Sequence, residues 1–148
     1  MTYTKDFKTL ASVVVTECLV FPAVEIVAGK KIPHCLVREA IWDTGADTTI
    51  ISSCIAKELG LKPISTTGIQ GVNGLSMSNL YRVHIGLPSG ELVHDVEVME
   101  MDDEACDYGV IIGMDLIHEC DLAITHPNNQ TKFTYERPSK RDLDFTKE

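Results

Sequence analysis

The feature that most constrains the fold of this chain is an acidic turn set between two apolar runs. One apolar run ends at Trp42, the sequence Asp-Thr-Gly-Ala-Asp occupies residues 43–47, and apolar residues resume at Ile50. A carboxylate, a hydroxyl group and a glycine therefore lie together in a tight turn between two predicted strands. Because Gly45 has no Cβ, a backbone segment or a ligand can approach it closely.

A second segment accompanies this acidic turn (residues 43–47). Residues 110–116 read Val-Ile-Ile-Gly-Met-Asp-Leu and begin 67 residues after Asp43. The turn resembles the active-site loop of aspartic proteases, most closely that of the retropepsin family, and the second segment resembles the apolar segment that passes beneath that loop. The resemblance extends over about residues 20–126. It implies a mainly β fold, a retropepsin-like closed β-barrel that forms one half of the acid protease fold per chain, with short helices.

A helix signal after the turn resembles the non-viral members of that family. Residues 52–60 carry apolar side chains four apart on one face, Ser52 or Ser53 can cap the first turn, and Gly60 can end the helix. Cellular and bacterial retropepsin-like proteins often have a helix here, with a sequence similar to that of residues 56–61.

The resemblance also implies roles for single residues. Asp43 is implied to be catalytic, and Thr44 and Gly45 to form the active-site loop at a dimer axis. A glycine-rich hairpin over residues 64–83 resembles the flap, a mobile hairpin that covers bound peptide. The implied substrate-binding residues come from the turn and from this hairpin: Gly45, Ala46, Asp47, Gly71 and Val72. Four isoleucines are candidate pocket walls, with a core position expected for the last: Ile50, Ile51, Ile69 and Ile112.

The number of Asp-Thr-Gly sequences predicts a homodimer. An aspartic protease needs two carboxylates in near contact, and this chain has one Asp-Thr-Gly and no other acid followed by Thr-Gly or Ser-Gly. The second carboxylate is therefore expected from a second copy, Asp43 against Asp43 across a twofold axis. Terminal strands near residues 10–20 or 131–136 are expected to join the interface. The expected partners are thus a second copy and a peptide or protein substrate, and the reaction requires no cofactor and no metal.

Length, charge and cysteine content narrow the class further. At 148 residues and 44% hydrophobic content, the chain suits a single domain over 1–148, with a core at about 10–136 and loose ends at 1–9 and 137–148. The net charge of −9 argues against nucleic acid or an anionic membrane as a partner, because phosphate binding needs clustered Lys and Arg. No apolar run approaches the ~20 residues of a membrane-spanning helix. Five cysteines without a Cys-x-x-Cys pair favour reduced thiols in the cytoplasm.

The rest of the chain predicts further strands and turns, because β-branched and alternating apolar residues recur between turn residues. The acidic stretch at 100–107 is expected to be a solvated loop. The predicted elements are a strand at 10–20, a strand and hairpin turn at 24–31, a return strand at 32–42, strands at 81–87 and 92–98 around a turn at 88–90, a short helix from Gly113 to Ile117, and strands at 121–126 and 131–136 around a turn at 127–129.

Three alternatives stay open on the sequence. His118, Cys120 and His126 could suggest zinc, although no paired ligand motif supports it. Cys54 with a histidine could form a thiol protease site, although packing on an amphipathic helix also explains it. The fold could also serve a non-catalytic dimer that binds peptide.

Trp42 stands where the family usually has a smaller aliphatic residue, and it is expected to pack against the partner or a neighbouring strand.

Overall fold

The structure is a computed structural model that describes residues 1–102 and 108–147. Within these ranges the chain is mainly β, with ten strands, two short α-helices and single turns of 3₁₀ helix at Pro127–Asn129 and Phe145–Lys147. The strands are β1 (Thr2–Asp6), β2 (Val15–Pro22), β3 (Cys35–Trp42), β4 (Ile50–Ser52), β5 (Ser65–Gly71), β6 (Gly74–Gly86), β7 (Leu92–Met101), β8 (Val110–Ile112), β9 (Asp121–Thr125) and β10 (Lys132–Glu136), and the helices are α1 (Ser53–Glu58) and α2 (Met114–Ile117).

The larger of two sheets has seven strands in the order β2-β3-β8-β4-β7-β6-β5. Strand β2 also pairs with β6, so the pairings of six strands lead back to β2, as a closed barrel requires. Strand β5 continues past this ring beside β6 as one arm of a hairpin. Branched aliphatic side chains fill the core because they alternate along the strands. The fully buried ones are Val20, Ile51, Val83, Ile85, Val98, Val110 and Ile112.

Strand β8 lies between the strand that enters the acidic turn and the strand that leaves it. It pairs in parallel with β3, with Ile112 opposite Trp42, and antiparallel with β4, with Ile111 opposite Ile50. Residues 43–49 therefore cross the end of β8 on their way from β3 to β4. The apolar segment thus lies beneath the acidic turn, as its sequence predicts.

The smaller sheet has three strands in the order β1-β10-β9. In β1, Thr2 pairs with Glu136 and Asp6 pairs with Lys132. The expectation of a loose arm at residues 1–9 is therefore wrong for β1. The physical reason is that its main-chain groups pair with a strand at the far end of the chain, which the local sequence does not reveal.

Residues 137–147 of the C-terminal tail form no strand, but the tail is held against the smaller sheet. The carboxylate of Asp121 accepts hydrogen bonds from the Ser139 hydroxyl, from the Lys140 amide at 2.6 Å and from the Arg141 amide at 2.8 Å. Residues 139–141 are therefore tied to β9, contrary to the expectation that the tail is loose.

Helix α1 begins and ends where the sequence predicts. The amide of Ile55 donates to the hydroxyl of Ser52 at 3.4 Å, so Ser52 caps the first turn. Gly60 follows the last turn with a φ of 60°, a left-handed conformation that glycine adopts without a steric penalty.

The glycine-rich hairpin is formed by β5 and β6. Its pairs run from Ser65–Leu80 to Gly71–Gly74, so Val72 and Asn73 make the tip. Gly74, directly after the tip, has a φ of 103°, a conformation that glycine adopts without a steric penalty. The predicted hairpin is confirmed.

The predicted strands before the acidic turn need correction. Strand β2 begins at Val15 and β3 at Cys35, and residues 23–34 contain no strand. The expected strand within 24–31 is therefore wrong, although a turn is present there, in which the Lys30 amide donates to the Val27 carbonyl at 3.1 Å. Pro22 and Pro33 flank this segment, and a proline has no amide hydrogen to donate to a neighbouring strand.

Two further expectations concern the acidic loop and the membrane. Of the acidic stretch at 100–107, residues 100–101 end β7 and residues 103–107 lie outside the described residues. None of the helices in the described part of the chain has both the length and the apolarity to cross a membrane.

Candidate active site

The acidic turn is held by its own backbone and by β8. The amide of Asp43 donates to the carbonyl of Ile112 at 2.9 Å, and the amide of Ala46 donates to the carbonyl of Asp43 at 3.2 Å. The amide of Gly45 donates to Oδ1 of the Asp43 carboxylate at 2.8 Å. Asp43 is half-buried and Thr44 beside it is exposed. The turn thus fixes one carboxylate oxygen and presents the carboxylate at the surface.

The segment that follows β8 supports the turn from below. The amide of Met114 donates to the carbonyl of Ala46 at 2.7 Å. A Cβ on Gly113 would lie 2.7 Å from main-chain atoms of Thr48, a distance at which the backbone would have to move. Glycine is needed at this position because two backbone segments approach each other closely.

Asp115 binds Thr49, two residues after the turn, with its carboxylate and binds Asp47, within the turn, with its amide. Its Oδ1 accepts from the Thr49 hydroxyl at 2.7 Å and its Oδ2 from the Thr49 amide at 3.0 Å. The Thr49 hydroxyl also accepts from the Gly113 amide at 3.2 Å, and the Asp115 amide donates to the Asp47 carbonyl at 3.2 Å. Thr49 is fully buried, so these partners are needed to satisfy its hydroxyl.

Asp115 is a functional candidate that the sequence reasoning missed. Neither Thr-Gly nor Ser-Gly follows Asp115, so the sequence does not indicate it as a second catalytic acid. The signal that could have found it is a carboxylate two residues after Gly113, opposite a polar residue just before β4.

The predicted substrate-binding residues fall into two groups. Residues 45–47 lie beside Asp43 in the acidic turn. Gly71 and Val72 lie at the hairpin tip, where the side chain of Val72 is fully exposed. Among the described residues, no hydrogen bond joins this tip to the turn in the single chain.

A polar cleft of about 500 Å³ lies between the hairpin, the end of β7 and the start of α1. Glu100 organises one wall, since its Oε2 accepts from the Asn79 amide group at 2.8 Å and from the Tyr81 hydroxyl at 2.9 Å. Asp43 is not among the residues that line this cleft. The cleft is therefore separate from the acidic turn within one chain.

The four isoleucines expected as pocket walls fall into two groups, buried residues and one residue that lines the cleft. Ile51 and Ile112 are fully buried and Ile50 nearly so, which assigns all three to the core of the single chain. A wall role for Ile50 and Ile51 in a site shared by two chains stays a prediction. Ile69 is half-buried and lines the polar cleft.

The thiol and zinc alternatives gain no support from the described residues. Burial raises the pKa of Cys35 to about 11 and that of Cys120 to about 11, so both thiols are protonated near neutral pH. Cys54 is exposed on α1, so the expected packing does not explain it. Within residues 1–102 and 108–147, no three His, Cys, Asp or Glu side chains are grouped so that they could hold a metal ion.

Comparison with known proteins agrees with this geometry. A family model described as aspartyl protease matches residues 27–116, more than half of the chain. The crystal structure of a retropepsin-like aspartic protease from Rickettsia conorii matches with a TM-score of 0.52 over 91% of this chain and 93% of that chain, at 10% sequence identity. At that identity the likeness shows the fold alone, and it confirms the expected mainly β, retropepsin-like fold. No curated protein gives a significant match.

Proposed function

Since this chain belongs to the aspartyl protease family, we propose that it is a homodimeric aspartic endopeptidase with one active site shared by two copies. The observation that carries the proposal is the acidic turn. It presents one half-buried Asp43 carboxylate, held at Oδ1 by the Gly45 amide, at the surface of a chain that has no second Asp-Thr-Gly. One chain supplies half of the required pair, so a second copy supplies the other half.

The chemistry follows from bringing two carboxylates together. Two such groups in contact cannot both be ionised, so they share one proton. The ionised carboxylate takes a proton from a water molecule, which attacks the carbonyl carbon of the peptide bond. The protonated carboxylate donates to the carbonyl oxygen, and a tetrahedral diol forms and then breaks down with protonation of the leaving amine. The enzyme forms no covalent bond to the substrate.

The exposed edge of the turn supports its place at the twofold axis. Thr44 is exposed in the single chain and has no side-chain hydrogen bond among the described residues, so its hydroxyl can bind a backbone group of the partner. Strands β2 and β10 are each paired on both sides, so the edges open to a partner strand in the smaller sheet are those of β1 and β9. We therefore revise the expected interface from residues 10–20 and 131–136 to these two edges.

The substrate is proposed to bind as an extended peptide between the acidic turn and the hairpin. Residues 45–47 supply backbone groups beside Asp43, and a Cβ on Gly45 would lie only 3.1 Å from the Asp43 Oδ1. Glycine therefore leaves the carboxylate accessible. Gly71 and Val72 at the exposed hairpin tip would cover the peptide from the other side.

A reducing compartment, and so the cytoplasm, is part of the proposal. Within the described part of the chain, no disulfide joins Cys18, Cys35 and Cys120. Proteins in oxidising compartments often pair their cysteines in disulfides. The thiols of this chain therefore favour a reducing compartment.

The proposed activity is tested by peptide-library cleavage with wild type and Asp43→Asn. The substitution keeps the shape of the side chain but removes the base and the shared proton, so cleavage should fall by at least about 10²–10⁴-fold while the fold and the dimer persist. Asp142→Asn, an exposed acid in the tail, is the matched control and should cleave like wild type.

Two outcomes would contradict the proposal. Cleavage by purified Asp43→Asn at the wild-type rate would place the chemistry elsewhere in the chain. Peptide binding without cleavage by the wild type would favour the non-catalytic dimer instead.

A further inference from the structure

The acidic turn is fixed mainly through the segment at the start of α2. Within the turn, the Gly45 amide holds the Asp43 carboxylate and the Ala46 amide holds the Asp43 carbonyl. Most contacts from outside the turn come from the end of β8 and the residues after it: Ile112 to Asp43, Met114 to Ala46, Asp115 to Asp47, and Gly113 and Asp115 to Thr49. One further bond comes from β7, where the Met99 amide donates to the Thr49 carbonyl at 3.1 Å. The position of the turn therefore depends on how firmly this segment is attached to it.

Asp115 makes the side-chain part of this attachment. Its Oδ1 accepts from the Thr49 hydroxyl at 2.7 Å and from its own helix, the Leu116 amide, at 3.0 Å, and its Oδ2 accepts from the Thr49 amide at 3.0 Å. One carboxylate thus joins Thr49, two residues after the turn, to the first residues of α2. Hydrogen bonds to an ionised group are stronger than those between neutral groups, and an unpaired partner in a buried position is costly.

We propose that Asp115 is a positioning residue for the active site: its carboxylate, through Thr49, fixes the acidic turn so that Asp43 meets Asp43 of the second copy. This inference rests on the proposed protease function and adds a residue to it. The shared site requires that the acidic turns of both copies are correctly placed. Because the two copies are identical, a displacement of the turn in one copy also occurs in the other. A displacement of about 1 Å at such a site can reduce the rate by about 10²-fold.

The inference predicts a division between kcat and KM. The backbone bonds of Met114 to Ala46 and of Asp115 to Asp47 do not depend on the Asp115 side chain. Peptide binding should therefore tolerate the small shift of the turn that follows removal of the carboxylate, whereas the contact between the two Asp43 carboxylates should not. In Asp115→Ala, kcat should fall by about 10- to 100-fold and KM should change less than about threefold.

Conservative variants separate positioning from simple loss of packing. Asp115→Asn keeps one acceptor oxygen for the Thr49 hydroxyl but places an amide group against another donor, so its kcat should lie between those of wild type and Asp115→Ala. Thr49→Ser keeps the hydroxyl and should retain most of the rate. Thr49→Val keeps the volume, removes the hydroxyl, and should lose about as much kcat as Asp115→Ala.

A second measurement needs no catalytic activity. Amide hydrogen exchange at Thr49 and Gly113 reports the attachment directly, because both amides donate into this network. In Asp115→Asn and Asp115→Ala, exchange at both amides should rise by at least about tenfold, while exchange in the β6–β7 pairs should stay as in wild type. Asp142→Asn is the control and should change neither.

The two proposals fail in different ways. An inactive wild type would overturn the proposed protease, whereas exchange at Thr49 would still decide the role of Asp115. Wild-type exchange in both Asp115 variants, or a rise in KM with kcat unchanged, would overturn the positioning role. A fall in kcat for Thr49→Ser equal to that for Thr49→Val would overturn it as well.

Discussion

The indole Nε1 of Trp42 donates a hydrogen bond of 2.9 Å to the hydroxyl of Thr16, and both groups are buried. The indole also packs against two rings of β10, with centroid separations of 5.1 Å to Phe133 and 4.9 Å to Tyr135. Trp42, the residue before Asp43, is therefore held by contacts within its own chain. Of the two packing positions expected for Trp42, the neighbouring strand is the correct one, and the indole joins the smaller sheet to the strand that delivers Asp43.

The first prediction concerns this buried hydrogen bond. Thr16→Val keeps the volume but leaves the indole N–H without an acceptor, so the free energy of unfolding should fall by about 1–3 kcal/mol. Phenylalanine has no N–H group that could be left without an acceptor. In a Trp42→Phe background, the same Thr16→Val substitution should therefore lower the free energy of unfolding by clearly less. Urea unfolding at one fixed protein concentration measures both. An equal cost in the two backgrounds would show that the hydrogen bond contributes nothing.

The second prediction concerns Gly113. Its added Cβ would lie 2.7 Å from main-chain atoms of Thr48, whereas a Cβ on Gly71 would meet nothing closer than 3.8 Å. Gly113→Ala should therefore lower the unfolding free energy by about 1–3 kcal/mol or more, and Gly71→Ala should stay within about 1 kcal/mol of wild type. Thermal or urea unfolding compares them. Equal stability of the two variants would contradict the close approach of the two segments.

The third prediction concerns the pH dependence of the tail. Hydrogen bonds from Ser139, Lys140 and Arg141 hold the pKa of Asp121 below its ordinary value. A lowered pKa in the folded state means that the bonds stabilise the tail at neutral pH and are lost as pH falls through that lowered value. The tail should therefore stay attached at pH 5–7, roughly, and detach only in stronger acid.

Trypsin tests this attachment at neutral pH, because Lys140 and Arg141 are cleavage sites in the tail. Asp121→Asn should be cut there several-fold faster than wild type, since the amides lose their carboxylate acceptor. Asp144→Asn changes another tail acid and is the control, with cleavage at these sites as in wild type. Equal cleavage of Asp121→Asn and wild type would mean that the carboxylate does not hold the tail.

The fourth prediction is the pH profile of peptide cleavage. Because the pair of carboxylates must carry one proton, kcat/KM should rise as pH falls from neutral into the acid range and decline when both are protonated. The two transitions belong to the pair and not to either copy alone. Chelators should leave the rate unchanged, since the proposed reaction uses no metal. A rate of cleavage that rises steadily through about pH 8 would indicate a thiolate nucleophile, for which Cys54 is the candidate.

Most of the local structure around the candidate site could be predicted because its signals are local. The acidic turn, the glycine-rich hairpin and the Ser52 cap are each encoded within a few neighbouring residues. The apolar segment of β8 is predicted because residues 110–116 resemble the segment beneath the active-site loop in the retropepsin family. These elements and the family resemblance were enough to predict the fold class.

The errors have a common physical cause in long-range contacts. The residues of β1 are mostly polar, and they form a strand because β10 offers free main-chain groups. Residues 24–27 contain β-branched side chains but form no strand, since no neighbouring strand pairs with them. Asp115 likewise resembles an ordinary surface acid until the fold brings it to Thr49. Pairing across the chain decided all three cases, and local propensity does not encode it.

The central claim is that two copies share one active site, and the activity of a mixed dimer tests it most directly. Wild type is allowed to exchange with an affinity-tagged Asp43→Asn chain, and dimers that contain one of each are purified and assayed on the same peptide. A shared site predicts that the mixed dimer is nearly inactive, because a lone carboxylate cannot both activate water and protonate the carbonyl oxygen. A mixed dimer with about half of the wild-type activity, or an active monomer, would mean that each chain carries a complete site and would contradict the account.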